Sequence, residues 1–208
     1  MRGWCKLVWL LPGLLLLGGC VNLGGGAQPP VVHYVLDDPG QAAPIAAPNP
    51  RTLLVMPVQA AGFYQSDALV FSRTPGTRAY YQYARWTEPP AQRLTQLILL
   101  RLERDKLFAH AAGLGSNLRG SWVLDAHLLD FYHEAEKPPG QVRIVLQARV
   151  VDLAGNTPVG QKIFRVSAPC PSYDAAGAYA AFDAATAMML DQLTQWLAHL
   201  PPGPGRQP

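Results

Sequence analysis

Over 208 residues the chain sets 17 Lys and Arg against 14 Asp and Glu, a net charge of +3 with the histidines neutral. No basic run gathers that small excess, which argues against a nucleic-acid or anionic-lipid binder working by charge. Hydrophobic residues make up 49% and charged residues 15%, a balance that supplies a packed core and excludes a chain disordered throughout.

Arg2 and Lys6 open the chain, and Leu7 to Leu17 is almost wholly apolar, interrupted at Pro12-Gly13 and ending in Gly18-Gly19-Cys20. A cationic start, a short apolar core and small residues at a cut are the order of a secretory signal. The run falls short of the roughly 20 apolar residues that a spanning helix takes. Leu17-Gly18-Gly19-Cys20 resembles a lipobox, the motif of bacterial lipoprotein precursors. Residues 1–19 are therefore expected to be a lipoprotein signal peptide, with the thiol of Cys20 carrying a diacylglycerol thioether. The same resemblance implies an N-acyl chain on the freed amino group, and more than one chain is what makes anchoring stable. An ordinary cleaved signal with an incidental cysteine is the alternative. Removing residues 1–19 leaves 15 basic against 14 acidic residues, so the apparent basicity belongs largely to the export segment. Cys5 leaves with it and Cys20 is consumed by lipid, so Cys170 alone survives and no intrachain disulfide can form.

Residues 20–30 comprise the lipidated cysteine and a Gly- and Pro-rich tether, and residues 31–200 are one domain. Val31 to Leu36 is β-branched and predicts a strand; Asp37 to Pro50, crowded with Pro and Ala, predicts a loop. Thr52 to Met56 is a continuous apolar run stopped by Pro57, which suits a short strand covered on both faces. Strands are expected at Ala68–Ser72 and Thr77–Trp86, with Pro75-Gly76 as the turn between them. Thr87-Glu88-Pro89-Pro90 reads as a helix start with Thr87 able to cap. The helix runs to about Lys106, with Leu94, Leu97, Ile98 and Leu102 buried and Arg93, Arg101, Glu103 and Arg104 on its wet side.

Leu107 to Ala111 suggests a strand and residues 113–120 a loop. A meander follows: Ser121–Glu134, Gln141–Asp152 and Thr157–Ser167, turned at Lys137-Pro138-Pro139-Gly140 and Ala154-Gly155-Asn156. In the middle strand Val142, Ile144, Leu146, Ala148 and Val150 alternate with Arg143, Gln147 and Arg149, the pattern of a sheet with one face on a core. Cys170, in a turn between prolines, reads as a small buried residue in preference to a redox thiol. A last helix is expected from about Asp174 to His199, its stripe of Tyr179, Phe182, Met189, Leu190, Leu193 and Leu197 including one polar member, Thr186. Residues 201–208 predict a disordered tail. The fold expected is α+β: a single mostly antiparallel β-sheet packed by two α-helices.

Catalytic motifs are missing from this sequence. It holds no phosphate-cradling glycine loop with a following Lys, no nucleophile elbow and no His-Glu-x-x-His. Asp125, His127 and His133 would share a face of an uninterrupted strand, a row that could take zinc. Leu129 and Phe131 intervene on that face, however, and set His133 about 20 Å from the others at roughly 3.3 Å per residue. A polar patch is the simpler reading, and neither catalytic nor metal-ligating residues are expected. Interaction candidates are aromatic: Phe63 and Tyr64 in a loop, and Tyr81 and Tyr83 crowding the strand before Trp86. Packing is the alternative for each, and for Trp86 it is preferred.

Several stretches together resemble the ABC-type transport auxiliary lipoproteins, the PqiC-like group. These are the lipobox, Tyr34, Arg51 leading into Val55-Met56-Pro57-Val58, Leu69-Val70, and Tyr83 followed by Trp86-Thr87-Glu88-Pro89. Leu124 to Phe131 and Arg149 to Asp152 continue the likeness, which spans the whole domain. The chain departs at Thr87, where Ala is usual, and at Ala60–Asp67, where Phe63-Tyr64-Gln65-Ser66 replaces a more charged loop. The resemblance implies a non-catalytic part of an MCE system, in which an inner-membrane ABC transporter and a periplasmic MCE-domain protein move lipid between membranes. It places the chain at the outer membrane facing the periplasm, docking the MCE-domain protein, and the residue after Cys20 is Val21 and not the Asp that would retain it at the inner membrane; a homo-oligomer is possible because a single small domain makes a poor port for a lipid conduit. Alternatives are a direct periplasmic lipid-binding carrier and a lipid-anchored metal-dependent enzyme.

Overall fold

The computed structural model describes residues 28–41 and 48–201; Leu17, Gly18, Gly19 and Cys20, with the signal, most of the tether and the tail, lie outside the described residues. All the elements below belong to the unit that begins at Val31.

In chain order the strands are β1 (Val32–Tyr34), β2 (Asn49–Val55), β3 (Gln59–Ala60), β4 (Ala68–Ser72) and β5 (Ala79–Trp86), with a 3-10 turn at Gly62–Tyr64 before β4. Helix α1 (Pro90–Arg104) and β6 (Phe108–Gly113) follow, then β7 (Trp122–Glu134), β8 (Gln141–Asp152), β9 (Thr157–Pro169) and α2 (Ala175–Ala198). The expected strands are present with small shifts at their ends, and β4 and β8 keep the bounds read from their patterns.

β7 organises the rest. One of its edges carries the antiparallel meander β7–β8–β9. Its other edge is shared by three short strands laid end to end, all parallel to it. Leu53–Val55 of β2 pair with Trp122–Leu124, Gln59–Ala60 of β3 with His127–Leu128, and Phe71–Ser72 of β4 with His133–Glu134. Beyond β2 lies β6, parallel; beyond β4 lie β5, antiparallel, and β1, parallel to β5. The sheet therefore forks along β7. This corrects the expectation of a single, mostly antiparallel sheet: five of the eight strand pairings among the described residues are parallel. Local patterning reports which faces are wet and which are buried, but it does not encode pairing across long sequence separations.

Both expected helices are present. α2 packs over β8 and β9, and α1 touches β6 and α2. The alternation of β8 is realised, with Val142, Ile144, Leu146, Ala148 and Val150 fully buried. Facing them from α2 are Phe182, Met189, Leu190 and Leu193. Phe182 stacks on Phe131 at 4.3 Å, and Trp86 meets both edge-on at 5.3 and 5.7 Å. Trp86 is thus a packing residue. Aromatic pairs of this kind add about 0.5–1.5 kcal/mol beyond their burial.

The ends of α2 follow from its sequence: Asp174 caps it by accepting a hydrogen bond from the Gly177 amide at 2.7 Å. That bond, with one donated by the Ser172 hydroxyl, holds the Asp174 carboxyl below its usual range. At α1 the expected cap is corrected: Pro89 occupies the cap position with no side-chain hydrogen bond, and Thr87 is exposed. Cys170 is buried and unpaired, and burial pushes its thiol up to about 11. No described helix is long and apolar enough to cross a membrane.

Candidate interaction site

The short turn between β3 and β4 points its two aromatic residues in opposite directions. Tyr64 is 5% exposed, whereas Phe63 is 37% exposed and stacks on Tyr80, itself 46% exposed, at 4.6 Å. The Tyr64 hydroxyl accepts from Arg78 Nε at 2.8 Å and lies 3.2 Å from Asp130 Oδ1, to which it donates. Arg78 also pairs with Asp130 at 3.1 Å and lies over the Tyr132 ring at 3.6 Å. Burial raises the Tyr64 hydroxyl above its ordinary range, against the lowering influence of Arg78, so it stays a protonated donor. The turn is pinned from beneath and displays Phe63 and Tyr80 as a rigid apolar pair.

Tyr81 and Tyr83 do not join that pair. Both are half-buried. The Tyr81 hydroxyl lies 2.7 Å from His133 Nδ1, and burial pushes its titration up to about 12. His133 Nε2 lies 3.1 Å from the Pro139 carbonyl, which can only accept, so Nε2 carries the proton and Nδ1 accepts from Tyr81. Burial holds this imidazole below 6.5, partly offset by the Pro139 bond. Gly140, at φ +82°, completes the lock, since a Cβ there would sit 2.5 Å from His133 Nε2.

The polar row on β7 divides. Asp125 and His127 stay together at 3.3 Å, and Arg149 reaches Asp125 at 2.8 Å. His133 is fully buried on the opposite face. The cause is a bulge between Leu128 and Asp130, which shifts the buried positions from Ala126 and Leu128 to Phe131 and His133. The shared face expected of an uninterrupted strand is corrected accordingly. No cluster of three His, Cys, Asp or Glu able to hold a metal occurs among the described residues.

Sequence reasoning misplaced Arg101. Expected on the wet face of α1, it is 1% exposed and forks onto Asp38, with Nε to Oδ2 at 2.8 Å and Nη2 to Oδ1 at 2.5 Å. Nη1 bonds Asp191 of α2, and Arg104 adds a 3.1 Å contact to Asp38. This network straps the segment after β1 across both helices. Leu36 and Asp37 extend the strap, through Arg93 Nε to the Leu36 carbonyl and the Asp37 amide to Asp183. An Arg between Leu97 and Leu102 carries no local signal for such a partner, which lies 63 residues away.

A family model described as ABC-type transport auxiliary lipoprotein component matches residues 34–195. Among solved structures, the fold resembles a Xanthomonas campestris protein of family DUF330 at a TM-score of 0.70 and 22% identity, over 78% of this chain and 94% of that one. A crystal structure titled as an uncharacterized protein aligns at a TM-score of 0.62 and 11% identity, over 80% and 99% of the two chains. No curated protein matches the sequence.

Proposed function

The chain belongs to the family of ABC-type transport auxiliary lipoprotein components, and on that premise we propose that it is the non-catalytic docking subunit of an ABC/MCE-type intermembrane lipid transport system. Cys20 carries the diacylglycerol and N-acyl lipid, and the domain faces the periplasm from the outer membrane, where it meets the MCE-domain protein. The observation that carries this reading is the family match over residues 34–195, joined to Leu17-Gly18-Gly19-Cys20 upstream. The site favours docking over chemistry: its exposed groups are a stacked aromatic pair, and its ionisable groups are tied up in pairs and hydrogen bonds. The space between sheet and α2 is filled by Trp86, Phe131 and Phe182, which favours docking over carriage of lipid inside the domain.

Affinity recovery of the lipidated protein from detergent-solubilised envelopes is expected to bring down an MCE-domain protein with its transporter. A Cys20→Ser variant is expected to leave the outer-membrane fraction. Recovery of the transporter complex from cells lacking the MCE protein would refute the docking role, and an unmodified residue 20 by mass analysis would refute the anchoring.

A further inference from the structure

Among the described residues β9 is the longest strand with an open edge. It pairs with β8 along Thr157–Pro169, and among the described residues no strand lies on its other side and no further backbone partner bonds to it. Such an edge is a template for an added strand. Pro158 and Pro169 close its two ends, leaving Val159–Ala168 available.

The chemistry of that stretch is one-sided. Lys162 and Arg165 are its only charged residues, both exposed, and β9 contains no carboxylate. Neighbouring Arg143 and Arg149 on β8 are matched by Asp130 and Asp125. Lys162 and Arg165 make no ion pair among the described residues. Strand alternation places them on opposite faces: Lys162 Nζ lies 5.2 Å from the Phe164 ring on the helix side, and Arg165 shares the wet face with Ile163, which is 38% exposed.

We propose that the β9 edge receives an extended acidic segment of a partner protein as an additional strand, with carboxylates meeting Lys162 and Arg165 and an apolar side chain covering Ile163. A second copy of β9 offers no carboxylate to Lys162 or Arg165, so it lacks the charge match that an acidic segment supplies. The charge match steers the encounter, and the backbone ladder holds the bound strand. The inference rests on the docking role only for the partner being a protein. Peptide binding in vitro tests the edge whether or not an MCE-domain protein is recovered from cells.

The test uses full-length protein in detergent and two fluorescein-labelled peptides of alternating Val and Thr. One carries Glu at two positions three apart, and the other carries Lys there. The acidic peptide is expected to bind about tenfold or more tightly than the basic one, weakening with salt, and to protect from exchange the outward-pointing amides within Val159–Ala168, those not bonded to β8. The exposed double reversal K162E/R165E is expected to invert the preference, and wild-type salt dependence supplies a readout that needs no variant. Equal binding of the two peptides, or protection confined to other strands, would overturn the proposal. So would outward-pointing β9 amides protected without peptide together with a doubled mass by light scattering, since a second copy would then hold the edge.

Discussion

Replacing Arg101 with Met tests whether the buried fork on Asp38 is a stabilising clamp. The substitution keeps the apolar stem beside Leu97 and Leu102 and removes the guanidinium, leaving the Asp38 side chain, 7% exposed, with Arg104 as its remaining cation. Breaking a buried pair by removing one partner costs about 3–5 kcal/mol; because Arg104 still reaches Asp38, the lower end, about 3 kcal/mol, is expected. For a domain of this size that corresponds to a Tm lower by about 6–12 °C. Urea unfolding monitored by tryptophan fluorescence measures it. The second arm is Arg101→Met with Asp38→Leu. Removing both charges relieves the desolvation of each, so the double variant is expected to recover most of the loss. A single-variant loss under about 1 kcal/mol, or a double variant no more stable than the single, would refute the clamp.

The same pair has a pH signature. Burial raises the Asp38 carboxyl, but the hydrogen bonds and charges of Arg101, Gly40 and Arg104 outweigh it and hold the group below 3.8. A carboxyl depressed on folding contributes its stability above its unfolded value, and that contribution is lost as pH falls through the native value. Removing Arg101 leaves only Gly40 and Arg104 to offset the burial, so acid unfolding of Arg101→Met is expected to begin at higher pH, readable by circular dichroism. His133 is depressed below 6.5 by burial, so folding favours its neutral form and stability declines as pH falls from about 6.5 through the native value; an NMR titration of its ring protons checks the direction. Tyr64→Phe removes the hydroxyl between Arg78 and Asp130 and is expected to cost about 1–2 kcal/mol in denaturant unfolding. Phe63→Ser with Tyr80→Ser removes an exposed pair, so stability is expected to change by less than about 1 kcal/mol while MCE-protein recovery drops; unchanged recovery would remove this pair from the docking surface.

Where patterning is local, the fold was legible. The alternation of β8, the Pro75-Gly76 turn and the start of the last helix near Asp174 each depend on residues within a few positions of one another, and each is found. Arg101 was not legible because its partner lies in a Pro- and Ala-rich loop far upstream. His133 was not, because one extra residue in β7 inverts the faces of everything after Leu128, and a period of two shows no such slip. The candidate site was half visible: an aromatic cluster could be seen, but which rings face outward depends on Arg78 and Asp130 closing over Tyr64.

The forked sheet imposes an order of assembly. β2, β3 and β4 lie between residues 49 and 72, yet all three dock on a strand that begins at residue 122. In chain order they come first and their template long afterwards, while β7, β8 and β9 are joined to one another by short turns. The meander is made of local contacts, whereas joining β2, β3 and β4 to β7 closes long loops, the entropically costlier and slower kind of contact. A chain cut before Trp122 has no β7 edge for its first strands to join. Until that edge exists, the unpaired backbone of the early strands is left without its partner.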